Sequence, residues 1–523
     1  SIYSTDASVY KEKPQAVFFP KTNSDLKYII EFANAHQLSI TPRAAGTSLA
    51  GQCVTDGLVL DLSKYFIEKI DFDKSKKIIR IEPGVVRDSL NNFLKPNHLF
   101  FGPNTSTSNR CNIGGMFGNN SSGTTSIKYG VTRDKIISSK GFLSDGSYVE
   151  VKPLTKSEFK EKLGLNSLEG QIYNYFNSLF SRKDIESILE TGFPKASIHR
   201  RNTGYSIDEL YNSSFFKTDA NTYFNLNKLL CGSEGTLYIA TELEVSLDDE
   251  QPQHSALVAA HFSTIQDCLE SVGTTMQHDL FTCEMMDKTI LDCTKDSMKY
   301  QGHRFFLEGD PEAILMLELR SNSEDNLKEQ IDKLLQDLKQ STKAYASPTL
   351  KGNEIHLAVE LRKAGLGLLG NLKGDAKAVA CIEDTSVTIK DLPHYISDFS
   401  KIMASYKQEA VYYAHAGAGE LHLRPILNLK TSKGVEEFKK ISSDVAHLVK
   451  SYGGALSGEH GDGRVRAPFT QLMVGDVCYD IFKEIKHIFD PQNLLNPGKI
   501  VNPKSIDSDL RYEVDRKEPE IST

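Results

Sequence analysis

Two histidines bracket a small-residue turn in His415-Ala416-Gly417-Ala418-Gly419-Glu420-Leu421-His422. Residues 411–414 and 421–423 on either side are apolar and read as paired strands, so a hairpin can bring both imidazoles onto one metal ion. Ser457-Gly458-Glu459-His460-Gly461-Asp462-Gly463 adds a carboxylate and a third imidazole in a glycine-rich setting. Two histidines and one carboxylate with positions left open form a catalytic rather than a structural coordination set. Any one of these histidines alone fits a core or surface role; the constellation is what points to a metal. Arg362 in Leu361-Arg362-Lys363-Ala364-Gly365 offers a planar fork for a carboxylate, and Lys377 a second cation that equally suits a solvated face.

Glycine-rich loops supply a second kind of chemistry. In Pro42-Arg43-Ala44-Ala45-Gly46-Thr47-Ser48-Leu49-Ala50-Gly51, small residues let successive backbone N–H groups converge on an anion such as a diphosphate. Alone, this loop fits a plain surface turn as well. A second stretch runs through Gly102-Pro103-Asn104, Asn112-Ile113-Gly114-Gly115-Met116 and Asn119-Asn120-Ser121-Ser122-Gly123. Its glycines and amides suit backbone packed against a flat, heteroatom-bearing ring. Gly365-Leu366-Gly367-Leu368-Leu369-Gly370 spells GxGxxG, but residues 359–364 before it read as helix, so it does not open a dinucleotide-binding βαβ unit.

These groups need a scaffold. Residues 16–20 form a short apolar strand, and Thr22 or Ser24 caps a helix with Leu26, Ile29, Ile30 and Ala33 on one face. Residues 38–41 lead as a strand into the first loop, and Asp145-Gly146 turns a hairpin over 141–151. Residues 154–225 are polar and helix-prone and read as an insertion. From 255 onward strands alternate with amphipathic helices, which predicts an antiparallel sheet covered by helices on one face. Gly453-Gly454 stops a late helix, and the charged stretch after Asn502 reads as a linker or frayed end. The expected fold class is α+β, divided as 1–247 (with the helical insertion), 248–480, and 481–523 as a return segment and tail.

The two loops together resemble the FAD-binding domain of the PCMH-type, or vanillyl-alcohol-oxidase-like, flavoproteins. Cys231-Gly232-Ser233-Glu234-Gly235-Thr236-Leu237 is similar to that domain's third segment, and Asn496-Pro497-Gly498-Lys499 to a return segment near the isoalloxazine. The later half resembles the FAD-linked oxidase cap of D-lactate, glycolate and D-2-hydroxyglutarate dehydrogenases. The resemblance spans about 17–500 and departs at Ala44 and Ala45, where relatives often carry glycine. It implies FAD contacts from Pro42, Arg43, Ala44, Ala45, Gly46, Thr47, Ser48 and Gly51. It implies further contacts from Pro103, Asn112, Gly114, Gly115, Asn119, Asn120, Ser122 and Gly123, and from Gly232, Glu234, Gly235 and Asn496. Neither loop contains histidine, so the flavin is expected to be non-covalent. The resemblance places His415, His422 and Glu459 on one divalent metal, zinc before manganese or iron, His460 as general base, and Arg362 with Lys377 on the substrate carboxylate. His199-Arg200-Arg201-Asn202-Thr203-Gly204-Tyr205 resembles a segment near the active-site entrance, with no role assigned.

The implied activity is oxidation of a D-2-hydroxy acid, D-lactate or D-2-hydroxyglutarate, by hydride transfer to the flavin. The alternatives are a non-catalytic electron-relay subunit, a glycolate oxidase, and a synthase-type relative without net redox chemistry. The electron acceptor is expected to be an iron–sulfur region or a respiratory-chain component, since longer relatives carry an iron–sulfur region after such a flavin half. The 523 residues exceed a single core's usual size. The net charge of −8 argues against nucleic-acid binding. No apolar run is long enough to span a bilayer, and eight scattered cysteines without a CxxC pair suit a reducing compartment. The expected location is the cytoplasm, either free or at the membrane periphery.

Overall fold

The computed structural model describes residues 2–295 and 297–517. They cluster into two compact units, one formed by Arg200–Glu250 and Ser457–Ile506 with nearly all of the first 196 residues, the other chiefly by Gln251–Leu456. The chain thus re-enters the first unit at Ser457, ahead of the return at 481 read from sequence. From Asp507 it belongs to the second unit.

The first unit contains two principal sheets. Three parallel strands run in the order Ala16–Phe18, Leu58–Asp61, Ile40–Arg43, with Leu58 in register with both Ala16 and Ile40. The helix Asn23–His36 covers them. Thr22 caps its start in a reciprocal box with Asp25, an arrangement whose loss typically costs about 1 kcal/mol. Its face of Leu26, Ile29, Ile30 and Ala33 packs on Ile40, Leu58 and Leu60. Five antiparallel strands form the second sheet, ordered Lys69–Asp73, Ile78–Ile81, Ile239–Ser246, Ile136–Phe142, Tyr148–Val151. The Asp145-Gly146 turn joins the last two, with Phe142 opposite Tyr148. The polar stretch between the strands folds into the helices Lys156–Leu163, Leu168–Phe180, Ile185–Gly192 and Ile207–Asn212.

The second unit is built on a mainly antiparallel sheet. Its central strands are His254–Phe262, Ala313–Ser321, Thr282–Asp287, Ala410–His415 and Glu420–Leu427, in that spatial order. Leu257, Ala259, Met286 and Met316 pack against Ile355, Ala358 and Leu361 of the helix Asn353–Leu368. The alternate residues Ala256, Val258 and Ala260 are equally buried. The strand therefore has two buried faces, which is why residues 256–262 read as a continuous apolar run. Helices Ile265–Thr275 and Glu324–Ser341 pack on the same strands. The GxGxxG glycines lie in and just beyond the helix Asn353–Leu368, as their helical context indicated.

One local expectation holds and one changes. The helix ended by Gly453, at φ 61°, starts at Ser432. There Asp515 accepts from Ser432 N at 3.0 Å while its own N–H donates to Lys430 O at 2.8 Å. From Asp507 the charged stretch thus belongs to this unit and is fastened to it at Asp515, whose carboxylate satisfies the helix's first N–H. Residues 518–523 of that stretch lie outside the described residues.

Candidate active site

In the first unit, four segments distant in sequence are tied by hydrogen bonds. The Gln52 amide donates to His460 O at 2.6 Å, and Arg464 N donates to Ala50 O at 2.7 Å. Asn496 Nδ2 donates to Gln52 O at 2.9 Å and to Glu234 O at 2.7 Å. The Glu234 carboxylate accepts from Asp462 N at 2.6 Å and Gly463 N at 3.0 Å. Burial pushes the Glu234 carboxyl up to about 7 against these lowering hydrogen bonds. Burial, helped by Arg464, pushes Lys499 down to about 7. The loop at 42–51, the segment at 232–237, the loop at 457–463 and the return at 496–499 thus form one polar knot.

The second glycine-rich stretch joins it. Asn112 precedes the helix Ile113–Asn119, and Asn120 ends it at φ 50°. Gly232 N and Glu234 N donate to Phe117 O and Gly118 O at 2.9 and 2.8 Å. Pro103 O accepts from Arg87 Nε at 3.1 Å. Gly46 sits at φ 67°, a left-handed backbone that favours glycine. Gly123 is equally constrained, its Cβ position falling on Asn104 O. Arg43 Nη1 and Asn112 Oδ1 are buried without a hydrogen-bond partner among the described residues. A buried guanidinium N–H beside the first loop suits a diphosphate, and a buried amide oxygen in the second suits a ring N–H. The residues present therefore fit FAD.

Glu459 and His460 stand in this knot. Arg200 Nη1 lies 3.2 Å from Glu459 Oε2, and both side chains are buried. Ser122 Oγ is 3.5 Å from the same oxygen, and Asn202 Nδ2 donates to Glu459 O at 3.2 Å. His460 Nε2 is 3.3 Å from Glu459 Oε1 and remains partly exposed.

In the second unit, strands Ala410–His415 and Glu420–Leu427 form the expected hairpin, with His415 opposite Glu420 and Tyr413 opposite His422. The His415 and His422 rings lie 5.0 Å apart. Ligand atoms of His415, Glu420 and His422 all fall within 4.8 Å of one another. Glu420 and His422, two apart on one strand, share a face. Two imidazoles and a buried carboxylate at this spacing fit a divalent cation. Behind them stand two further carboxylates. Glu284 accepts from His415 Nδ1 at 2.8 Å and pairs with Arg362. Glu383 lies 3.6 Å from His422 Nδ1 and takes a two-pronged contact from Arg424 at 2.6 and 2.5 Å. Arg362 also donates to Ala414 O at 3.3 Å and lies 4.1 Å over the Tyr413 ring. Lys377, on the strand Lys377–Ala378, donates to Leu372 O.

The structure thus groups the expected His415, His422 and Arg362 in the second unit and Glu459 with His460 in the first, and it adds Glu284, Glu383, Glu420, Gln52 and Arg200 beside them, to which sequence reading gave no role. Glu420 was visible in the motif itself.

Residues 14–152 match the model of an FAD binding domain, and 251–500 that of the C-terminal domain of FAD linked oxidases. The chain belongs to the FAD-linked oxidase family. The chain is 31% identical over 513 residues to a D-2-hydroxyglutarate dehydrogenase of Pseudomonas putida, covering 96% of the chain and 50% of that relative. It is 25% identical over 485 residues to a D-lactate dehydrogenase of Archaeoglobus fulgidus, covering 92% of the chain and 90% of the relative. It spans about half the length of the D-2-hydroxyglutarate dehydrogenases it matches. Its fold is that of 4-ethylphenol oxidase from Gulosibacter chungangensis, with TM-score 0.63 at 13% identity over 95% of this chain and 92% of that one. No helix among the described residues is long and apolar enough to cross a membrane.

Proposed function

We propose that this chain binds FAD and oxidises a D-2-hydroxy acid to the 2-oxo acid. The observation that carries the reading is the hairpin pair His415 and His422, joined through Glu284 to the buried Arg362. A metal-type donor set on one hairpin and a carboxylate-binding guanidinium on the helix Asn353–Leu368 suit an acid with a hydroxyl next to its carboxylate. The names of the relatives support the same substrate class, with D-2-hydroxyglutarate first and D-lactate second.

Bound FAD supplies a hydride acceptor, and a bound divalent ion, zinc before manganese or iron, supplies Lewis acidity toward the 2-hydroxyl. The loops containing Gly46 and Gly115, with Glu234, Gly235 and Asn496, hold the flavin non-covalently. His415, His422 and Glu459 are the proposed metal ligands. Glu420, on the same hairpin as the two histidines, offers a further carboxylate. Arg362, with Lys377, binds and orients the substrate carboxylate through parallel hydrogen bonds. His460 accepts the hydroxyl proton, and Glu459 beside it holds that imidazole in place. Orientation of C2 by these groups converts an encounter into an aligned reaction. The proposed electron acceptor is an iron–sulfur region or a respiratory-chain component.

The test is dye reduction with a panel of D- and L-2-hydroxyglutarate, D- and L-lactate, and glycolate. Turnover with a D-acid, lost on chelation while the flavin stays bound, supports the reading. Turnover with none of them, or full turnover in verified metal-free protein, overturns it.

A further inference from the structure

Glu284 lies 131 residues from His415, outside the glycine-rich loops and the histidine-bearing segments. Its strand, Thr282–Asp287, pairs with Ala410–His415 so that Met285 faces Ala414. That register brings the carboxylate beside His415, where Oε2 and Oε1 lie 2.8 and 3.1 Å from Nδ1. The same carboxylate pairs with Arg362, and the side chains of this pair are 5% and 6% exposed. An ionised carboxylate only accepts hydrogen bonds, so Nδ1 of His415 carries the hydrogen and Nε2 keeps its lone pair. The guanidinium offsets the charge that would otherwise make a buried carboxylate costly.

We propose that Glu284 is a positioning residue that fixes His415 for metal binding and Arg362 for carboxylate binding at once. The inference rests on the function proposed above. A carboxylate behind a ligating histidine sets its tautomer and orientation, and losing such a partner typically costs about 10–100-fold in metal affinity. The additional feature here is the second contact. One side chain ties the ligand of the metal to the group that holds the acid, so both should respond to its removal.

The test uses the flavin-loaded chain and Glu284→Gln, which keeps size and removes charge. Zinc affinity is read by competition with a chromophoric chelator, without turnover. The expected result is a loss of roughly 10–100-fold in zinc affinity. At saturating zinc, KM for the acid should rise by more than kcat falls, because Arg362 has lost its anchor. General loosening of the fold would lower the melting temperature and flavin content without that split. A second measurement needs no variant in which Glu284 is changed. In protein labelled with ¹⁵N-histidine, with the His415 resonances assigned through His415→Gln, the metal-free native chain should show the Nδ1–H tautomer. An Nε2–H tautomer, or zinc affinity and KM unchanged in Glu284→Gln, overturns the inference. A native chain that binds zinc and oxidises a D-2-hydroxy acid while Glu284→Gln matches it overturns the inference alone. A native chain that does neither removes the functional reading as well.

Discussion

Arg200 and Glu459 form a buried ion pair, 3.2 Å between Nη1 and Oε2, across 259 residues of sequence. Arg200 Nε also donates to Ser126 Oγ at 2.9 Å, and its Nη2 to Gly123 O. One guanidinium therefore fastens the glycine-rich loop at 119–123 to the loop that carries Glu459 and His460. Replacing Arg200 by Met would leave the carboxylate buried beside a neutral side chain. Breaking a buried pair from one side costs roughly 3–5 kcal/mol. Urea unfolding of Arg200→Met should show a loss of that order; a change below about 1 kcal/mol would contradict the pair's structural weight.

His460 is assigned the hydroxyl proton. His460→Ala should slow flavin reduction by roughly 10²–10⁴, the usual range for general acid–base catalysis. Stopped-flow reduction at the native rate would remove it from that role.

Arg362→Lys keeps the positive charge beside Glu284 and loses the fork. Losing one charge-assisted hydrogen bond should weaken acid binding by roughly 1.5–3 kcal/mol. The dissociation constant of the acid, measured with oxidised flavin, should rise accordingly. An unchanged constant would place the carboxylate elsewhere.

How much of this was legible in the sequence depended on where each residue's partner lies. The Asn23–His36 helix carries its own start signal in Thr22 and Asp25, while its end at Gln37, φ 53°, has no glycine to announce it. The His415–His422 hairpin is similarly local, as its partners are neighbours across one turn. Glu284 was not found, although a charge inside Phe281-Thr282-Cys283-Glu284-Met285-Met286 signals a buried group needing a partner. Its partners, Arg362 and His415, lie on a distant helix and strand that only the sheet order brings alongside. Arg200 stood in a segment noticed from sequence, but its role depends on Glu459, which nothing local announces. Asp515 was one charge among many in the tail, and its value as a cap exists only once the Ser432–Ser451 helix is docked.

Burial raises the Asp287 carboxyl to about 7, although Ile290 N and Tyr412 N both donate to it at 2.9 Å. A folded-state value above the ordinary carboxylate range means that the folded chain holds a proton the unfolded chain releases. Stability from this group is present at pH below about 4 and is lost as pH rises toward 7. Asp287→Asn keeps the cap and removes the proton. Relative to the native chain, it should therefore melt higher at pH 8 than at pH 5. A melting difference independent of pH would contradict the assignment.

The central claim is that a D-2-hydroxy acid delivers a hydride to the flavin held by this chain. Anaerobic addition of D-2-hydroxyglutarate or D-lactate to the flavin-loaded, metal-replete protein tests it directly, by absorbance near the flavin's long-wavelength band. The account predicts bleaching with at least one D-acid and none with its L-enantiomer. A spectrum left oxidised by every acid would contradict it.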